Sequence, residues 1–172
     1  DVLSDIGVLL RYLRADDSSG QSGKDGASAY LVQPGLDDID ALVTSMTDAG
    51  LKVEQSINGE VTQVDETTGR VAYRIAQEGL TNAHKHGSGG TAQLKIAVDS
   101  VNAQTLNIEV TNPATDADRN QPDAPQGHLG LTGLKERVGA VGGKISTSHA
   151  AGKFILQAEL PVRSQRRNRE EK

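Results

Sequence analysis

An acid, an amide and a base are spaced in the segment 70–86 so that a helix would place them on one side. At about 100° per residue, Glu78, Asn82 and Lys85 point the same way. The opposite side is made of small residues and one leucine: Ala72, Ala76, Gly79, Leu80 and Ala83. We therefore predict a helix whose small side lies close against a sheet.

The three polar residues match the needs of phosphate chemistry. A carboxylate such as Glu78 can orient or deprotonate a nucleophile. The amide oxygen of Asn82 can ligate Mg²⁺, which prefers hard oxygen ligands together with phosphate and water. Lys85 can meet a phosphate as a point charge. The same spacing is more often that of a solvated helix face, because charged faces are common.

A second segment, the glycine-rich run 127–134, is predicted to open a helix. Its glycines would let backbone N–H groups approach phosphate oxygens at the positive end of that helix. It is not the dinucleotide fingerprint, which directly follows a strand, because a long polar loop precedes it. It is not a P-loop either, since no Gly-Lys pair is followed by Ser or Thr. Taken alone, such a run is more often a hinge between a loop and a helix.

Short helices and mostly antiparallel strands would position these segments. An amphipathic helix is expected after Pro34, and residues 51–57 begin a strand pattern. Asn58-Gly59 is a strong signal for a two-residue hairpin turn, so a returning strand through Val61 and Val64 is predicted.

The remainder of the pattern continues this alternation. Thr67 or Thr68 is expected to cap the helix that ends at about His86. Further elements follow in this order: strands 94–98 and 106–110, a polar loop 112–126, a helix 131–141 ended by Gly142-Gly143, and a hairpin of strands 145–148 and 154–160. The predicted fold class is α+β, with helices packed on one face of a sheet.

The amino-acid composition excludes several classes of function. A formal net charge of -5 disfavours nonspecific nucleic-acid binding. The absence of cysteine removes disulfides, thiolate nucleophiles and Cys-based zinc sites. No segment is expected to span a membrane. Residues 1–14 have an a/d-like apolar seam, residues 15–33 read as a flexible linker, and residues 164–172 as a charged, disordered tail.

In combination, the two polar segments resemble one family. Residues 74–86 look like the N-box of bacterial two-component sensor histidine kinases. Residues 130–138 look like the glycine box of the same branch, which pairs with helix-turn-helix response regulators. The resemblance extends more weakly over residues 34–163. It implies the Bergerat-type fold, a two-layer sandwich whose mixed, mostly antiparallel sheet is covered on one face by helices.

The resemblance also implies roles for individual residues. Asn82 would ligate Mg²⁺ with Glu78 beside it, and Lys85 and His86 would contact phosphates. Residues 112–126 would form the ATP lid. The backbone amides that would line the triphosphate belong to five residues: Gly127, Gly130, Leu131, Thr132 and Gly133.

Two departures from the family pattern concern adenine. The family reads the adenine amino group with Asp in an Asp-x-Gly-x-Gly box, whereas this chain has Asn112-Pro113-Ala114. Asn112 can still accept a hydrogen bond through its amide oxygen, although it brings no charge. Some members place Thr after the last glycine pair, where this chain has Lys153. We therefore expect adenine to be bound more weakly than is usual for the family.

The expectation is a protein-histidine kinase catalytic domain whose phospho-acceptor His lies elsewhere, since residues 1–14 resemble the end of the second dimerisation helix. Its partners would be its own dimerisation domain and a response regulator, with no nucleic acid. The full-length protein would be a homodimer and this domain cytoplasmic, with a plasma-membrane anchor left open. Two alternatives remain: a non-enzymatic protein-interaction module with weakened adenine recognition, and a serine kinase of the anti-sigma type.

Overall fold

The structure is a computed structural model, and it describes residues 33–99, 105–114 and 128–162. The predictions for residues 1–14, for most of the linker, for lid residues 115–126 and for the charged tail lie outside the described residues. Within the described ranges, no helix is both long and apolar enough to cross a membrane.

Three helices and five strands make up the described fold. The helices are α1 (Ile39–Asp48), which continues a 3-10 turn at Leu36–Asp38, α2 (Glu66–His86) and α3 (His128–Ala140). The strands are β1 (Lys52–Asn58), β2 (Thr91–Asp99), β3 (Thr105–Pro113), β4 (Lys144–Ala150) and β5 (Lys153–Pro161).

The strands form one mixed sheet in the order β1-β2-β3-β5-β4. The β1–β2 pair is parallel, and the other three pairs are antiparallel. The helices pack on one face, so the predicted α+β architecture is confirmed. β4 and β5 are joined by a two-residue hairpin turn at Ala151-Gly152. Both residues have positive φ angles, 50° and 72°, and such turns match the right-handed twist of the strands they join.

An aliphatic core lies between the helices and the sheet. On β2 and β3 the alternating residues predicted to be apolar face inward, and Leu94, Ile96 and Leu106 have no exposed surface. Leu134 and Val138 fix α3 to the same core. With no Trp and one Phe in the chain, interlocking aliphatic side chains provide most of the buried apolar area.

The open face of the sheet is polar. Glu109 on β3 accepts a hydrogen bond of 2.8 Å from Gln157 Nε2 on β5. It also lies 3.2 Å from Lys95 Nζ on β2. The Gln157 hydrogen bond, together with the hydrogen bond and positive charge of Lys95, holds the pKa of Glu109 below its usual value despite the opposing effect of burial. These cross-strand contacts link the three central strands on the side away from the helices.

One predicted element is wrong: Asn58-Gly59 does not open a β-hairpin. Gly59 turns with φ of 85°, and a Cβ there would lie 2.6 Å from the Val98 carbonyl oxygen. The chain continues into a 3-10 turn at Val61–Gln63, and β1 instead pairs in parallel with β2. Val61 and Val64 are three residues apart, which puts them on one side of a 3-10 turn but on opposite faces of a strand. Both pack against the core, so the helical turn buries both.

The start of α2 also differs in detail from the prediction. The residue that caps it is Asp65, whose Oδ1 accepts a hydrogen bond of 3.0 Å from Thr68 N. Thr68 is buried one turn inside the helix, where its hydroxyl donates to the Pro161 carbonyl oxygen at 3.3 Å. Because an aspartate at this position also suits the positive helix end, the cap lies two or three residues before the predicted one.

The close approach of α2 to the sheet depends on Gly79. A Cβ built on Gly79 would lie 2.7 Å from Val110 Cγ2 and 3.1 Å from Leu156 Cδ2, so β3 and β5 occupy the space of a side chain. The predicted small side of the helix is therefore confirmed as the side that contacts the sheet.

We predict that Gly79→Ala lowers the free energy of unfolding, although Ala is the better helix former. Overpacking costs about 1–3 kcal/mol, against about 1 kcal/mol gained in helix propensity. Gly139→Ala is the matched control, because Gly139 is an exposed residue of α3 with open space around its Cα. Urea denaturation should show the control unchanged or more stable. Equal stability of the two variants would contradict the close contact.

Candidate active site

The helix α2 separates its residues into two faces as predicted. Ala72, Ala76 and Leu80 are fully buried against the sheet. Glu78 and Asn82 are half-buried on the outer side, and Lys85 is exposed. Among the described residues, the side chains of these last three form no hydrogen bond or ion pair, so their polar atoms are available to a ligand.

Glu78 contacts the glycine-rich segment directly. A Cβ built on Gly130 would overlap Glu78 Oε1 and lie 2.8 Å from Glu78 Cδ. Only a residue without a side chain therefore fits at position 130 while Glu78 keeps this position. The contact brings the two segments singled out in the sequence onto one surface.

The glycine-rich segment is helical from His128 onward, and this limits the number of its backbone N–H groups that could bind a ligand. The first four N–H groups of an α-helix have no intrahelical partner, and Gly130 is among them. The N–H groups of Thr132 and Gly133 fall further in, where they point to carbonyls one turn back. Leu131, the fourth residue of this helix, packs its side chain against the core. Gly127 lies outside the described residues.

The basic residues at the end of α2 are exposed. His84, Lys85 and His86 occupy the last turn, where positive charge suits the negative helix end whatever else it binds. His149 lies on β4 with its ring 5.1 Å from that of Phe154. Nowhere in the described ranges do three or more acidic, His or Cys side chains cluster as a metal site.

Asn112 lies near the end of β3 and is only 4% exposed. Its Nδ2 donates a hydrogen bond of 2.9 Å to the carbonyl oxygen of Pro113. Its Oδ1 is shielded from solvent and has no hydrogen-bond partner among the described residues. A buried acceptor without a partner is costly in a folded protein, and it marks a place where a donor from a ligand would be stabilising.

The end of α2 reaches Asn112. Gly87 follows the last helical residue, and a Cβ built on it would lie 2.9 Å from Asn112 Nδ2. The next residue, Ser88, donates its backbone N–H to the Pro113 carbonyl oxygen at 3.1 Å. Sequence reasoning missed Gly87, although a glycine directly after three basic residues is a usual sign of a helix end.

The start of the predicted lid is held by the β4–β5 turn. Ala114 N–H donates to the Gly152 carbonyl oxygen at 2.9 Å. In the strand register, Lys153 lies opposite Pro113. Asn112 and Lys153 also border a groove of about 540 Å³ that includes Lys52 and Thr111 but none of Glu78, Asn82 and Lys85.

The site residues thus fall into two groups joined by α2. One group is the polar face of α2 with Gly130, and the other is Asn112 beside the end of the helix. Glu78 and Gly87 are nine positions apart, which at a rise of about 1.5 Å per residue separates the two ends of the site by roughly 13 Å along the helix axis. An elongated ligand with a polar end and a flat end could contact both.

Comparison with solved structures identifies similar folds. Over 75% of its length the chain is similar to a blue-light activated histidine kinase of Erythrobacter litoralis, with 20% identity and a TM-score of 0.57. The chain spans 45% of that protein. The separate histidine kinase domain of the same protein matches 94% of the chain and 75% of the domain, with 18% identity and a TM-score of 0.55.

The histidine kinase AdeS of Acinetobacter baumannii is similar over 95% of this chain and 80% of its own, with 20% identity and a TM-score of 0.54. No family model matches the sequence. As the resemblance of its two motifs implied, the chain has the fold of a histidine kinase domain.

Proposed function

We propose that this chain is the ATP-binding catalytic domain of a sensor histidine kinase, which transfers the γ-phosphoryl group of ATP to a histidine on a dimerisation helix. The observation that carries the proposal is the contact between Glu78 and Gly130. It brings the N-box-like and glycine-box-like segments together, on a fold similar to that of solved histidine kinases.

The residues on α2 fit a Mg²⁺-nucleotide. The amide oxygen of Asn82 accepts no hydrogen bond from a described side chain and could therefore ligate a metal ion. Mg²⁺ needs few protein ligands when phosphate and water supply the others. The ion would neutralise phosphate charge when bound. Lys85 and the amides at the start of α3, including that of Gly130, would hold the phosphates in place. His86 is a further candidate for phosphate contact.

The transfer step needs an acceptor that approaches from outside. A ring nitrogen of the acceptor imidazole forms a bond to the γ-phosphorus while the bond to the β–γ bridging oxygen breaks, and ADP leaves with that electron pair. The imidazole loses its N–H proton to Glu78, which acts as the base. Positioning and charge neutralisation supply most of the catalysis.

The proposed partners follow from this reaction. The acceptor histidine would lie on the dimerisation domain of the full-length protein, which would act as a homodimer. A response-regulator aspartate would then receive the phosphoryl group. We assign the domain to the cytoplasm, where ATP and response regulators are found, whether or not the full-length protein has a membrane anchor.

One observation favours a second candidate function. Asn112 stands where the family has Asp, and the two glycines of the Asp-x-Gly-x-Gly box are replaced by Ala114 and Asp116. A site altered in this way is compatible with a non-enzymatic module that binds nucleotide poorly and acts through protein contacts. Titration with Mg²⁺-ATP separates the two candidates.

We predict that Asn82→Ala weakens Mg²⁺-ATP binding by about a hundredfold or more, because loss of the ligand leaves charge uncompensated at a cost of several kcal/mol. Asn107→Ala is the matched control, since Asn107 is exposed on the open face of the sheet. Isothermal titration of both variants and the parent, with and without Mg²⁺, measures the effect. If Asn82→Ala matched the parent in both conditions, the ligand role would be wrong.

We predict that Glu78→Gln keeps nucleotide binding within a few-fold of the parent but slows phosphoryl transfer by about 10²–10⁴-fold, the range expected when a general base is lost. Glu136→Gln, an exposed glutamate of α3, makes the same charge change away from the site. Single-turnover transfer to a saturating acceptor domain is the measurement. An unchanged transfer rate in Glu78→Gln would assign the proton to another group.

We predict that this chain alone does not phosphorylate itself on histidine but phosphorylates a supplied dimerisation domain. His84 and His86 are fixed on α2 beside the proposed phosphate site, which favours binding over in-line attack. Incubation with γ-labelled ATP, with and without the dimerisation domain, tests this. Acid-labile label on this chain alone would overturn the prediction. Label on neither protein, despite measurable ATP binding, would favour the non-enzymatic module.

A further inference from the structure

The open face of the sheet, on the side away from the helices, has two grooves. One has a volume of about 540 Å³ and lies where β1 and β2 begin and β3 ends; we call it the lysine groove, because Lys52 and Lys153 line it. The Asn112 side chain points away from this groove, toward Gly87 at the end of α2. The second, of about 630 Å³, is the balanced groove, whose charged lining residues are Lys95, Lys144, Glu109 and Glu159.

The charges of the balanced groove compensate one another. Lys95 Nζ lies 3.2 Å from Glu109 Oε1. Lys144 is the strand partner of Glu159, so the two side chains leave neighbouring strands on the same face. Two positive and two negative charges therefore leave this groove without a net charge that would attract an ionic ligand.

The lysine groove is not compensated in this way. Lys52 and Lys153 are exposed, and neither ammonium group makes a hydrogen bond or an ion pair with another described residue. Among the described residues that line the groove, Glu54 is the one acid, and it accepts a hydrogen bond of 2.8 Å from Gln93 Nε2. The groove therefore has an excess of positive charge, and its two lysines are available to an anionic ligand.

The strand register places these lysines in one row across the sheet. Lys52 is the partner of Thr91, and Lys153 is the partner of Pro113. Thr91 lies opposite Pro113 in the extension of the antiparallel β2–β3 register. Three steps between neighbouring strands, at about 4.8 Å each, separate the Cα atoms of the two lysines by about 14 Å.

The number and spacing of the lysines determine which class of ligand fits. Two lysines are fewer than the cluster of about four to eight basic residues that binds anionic lipids, and the net charge of -5 disfavours nucleic acid. A single small anion could meet both lysines only over the middle of the row, where Pro113 has no N–H to offer. Four residues of extended chain span about 13 Å, so a peptide with acidic side chains four residues apart matches the row.

We propose that the lysine groove binds an acidic segment of a partner protein. The segment lies extended across the strands, with two carboxylates about four residues apart, one at Lys52 and the other at Lys153. The hydroxyl of Thr91, which lies between the lysines, donates a hydrogen bond to the backbone of the segment. The groove is on the opposite face of the sheet from α2, so the inference goes beyond the proposed function and does not depend on nucleotide binding.

The test is an NMR titration of the ¹⁵N-labelled protein at low salt. The probe is a short peptide of serine and threonine that carries two glutamates four residues apart, and an isomer with adjacent glutamates is the spacing control. We expect a dissociation constant of about 1 mM, because exposed ion pairs contribute little each. Chemical-shift changes should be largest at Lys52, Thr91 and Lys153 and small in the balanced groove. The isomer should bind a few-fold more weakly, and equal affinity of the two peptides would contradict the spacing.

A double variant tests the two lysines. Lys52→Gln together with Lys153→Gln should weaken peptide binding by about five- to thirtyfold, because both ion pairs are lost. Lys95→Gln together with Lys144→Gln is the matched control, since it makes the same change in net charge on the same face. The control should stay within about twofold of the parent. An equal loss in both double variants would show that overall charge alone attracts the peptide, and would overturn the site.

Two other probes separate the proposal from its rivals. Inorganic phosphate and vesicles that contain phosphatidylserine are each titrated in place of the peptide. Phosphate that causes the same shifts at the same concentration would assign the groove to small anions, and vesicles that bind more tightly than the peptide would assign it to a membrane surface. Either result would overturn the proposal. The absence of shifts in the lysine groove at a peptide concentration about tenfold above the expected dissociation constant would also overturn it.

Discussion

The contact of α2 with the sheet at Gly79 is the constraint on which the other features depend. The helix lies so near β3 and β5 that Val110 and Leu156 fill the space of a side chain. Packing of this kind fixes both the depth and the rotation of a helix, because interiors tolerate little overlap. With the rotation fixed, Glu78 and Asn82 must face away from the sheet, and Gly87 must end the helix beside β3.

The same helix joins the two halves of the candidate site. Its outer face contacts Gly130 at the start of α3, and its end contacts the Asn112 amide. Both contacts are made where a glycine leaves room for a polar side chain. A rigid helix with such contacts at two points holds a carboxylate, an amide and a free helix start in a fixed relation. The proposed phosphoryl transfer would require pre-organisation of this kind.

Regular alternation and helix periodicity were enough to predict most of this fold. Apolar and polar residues alternate along two strands, at 94–98 and 106–110, because one face of each strand is buried and the other is exposed to solvent. The sequence also predicted which face of α2 contacts the sheet, since only small residues suit a close contact between a helix and a sheet. The Asn58-Gly59 turn was misassigned because turn chemistry is local, whereas the strand that pairs with β1 comes after the whole of α2. The partner of the Asn112 side chain could not be predicted, because it depends on the orientation of one carbonyl group.

That carbonyl also gives a physical reason for the asparagine. An aspartate at position 112 would place a carboxylate oxygen where Nδ2 now meets the Pro113 carbonyl, and it would have to be ionised in a nearly buried position. Asparagine avoids the buried charge and converts the contact with the carbonyl from repulsion to a hydrogen bond. Asparagine is nevertheless a weaker acceptor than aspartate, since a charge-assisted hydrogen bond is roughly twice as strong as a neutral one. In the proposed function, Asn112 would keep the direction of the hydrogen bond to adenine and give up part of its strength.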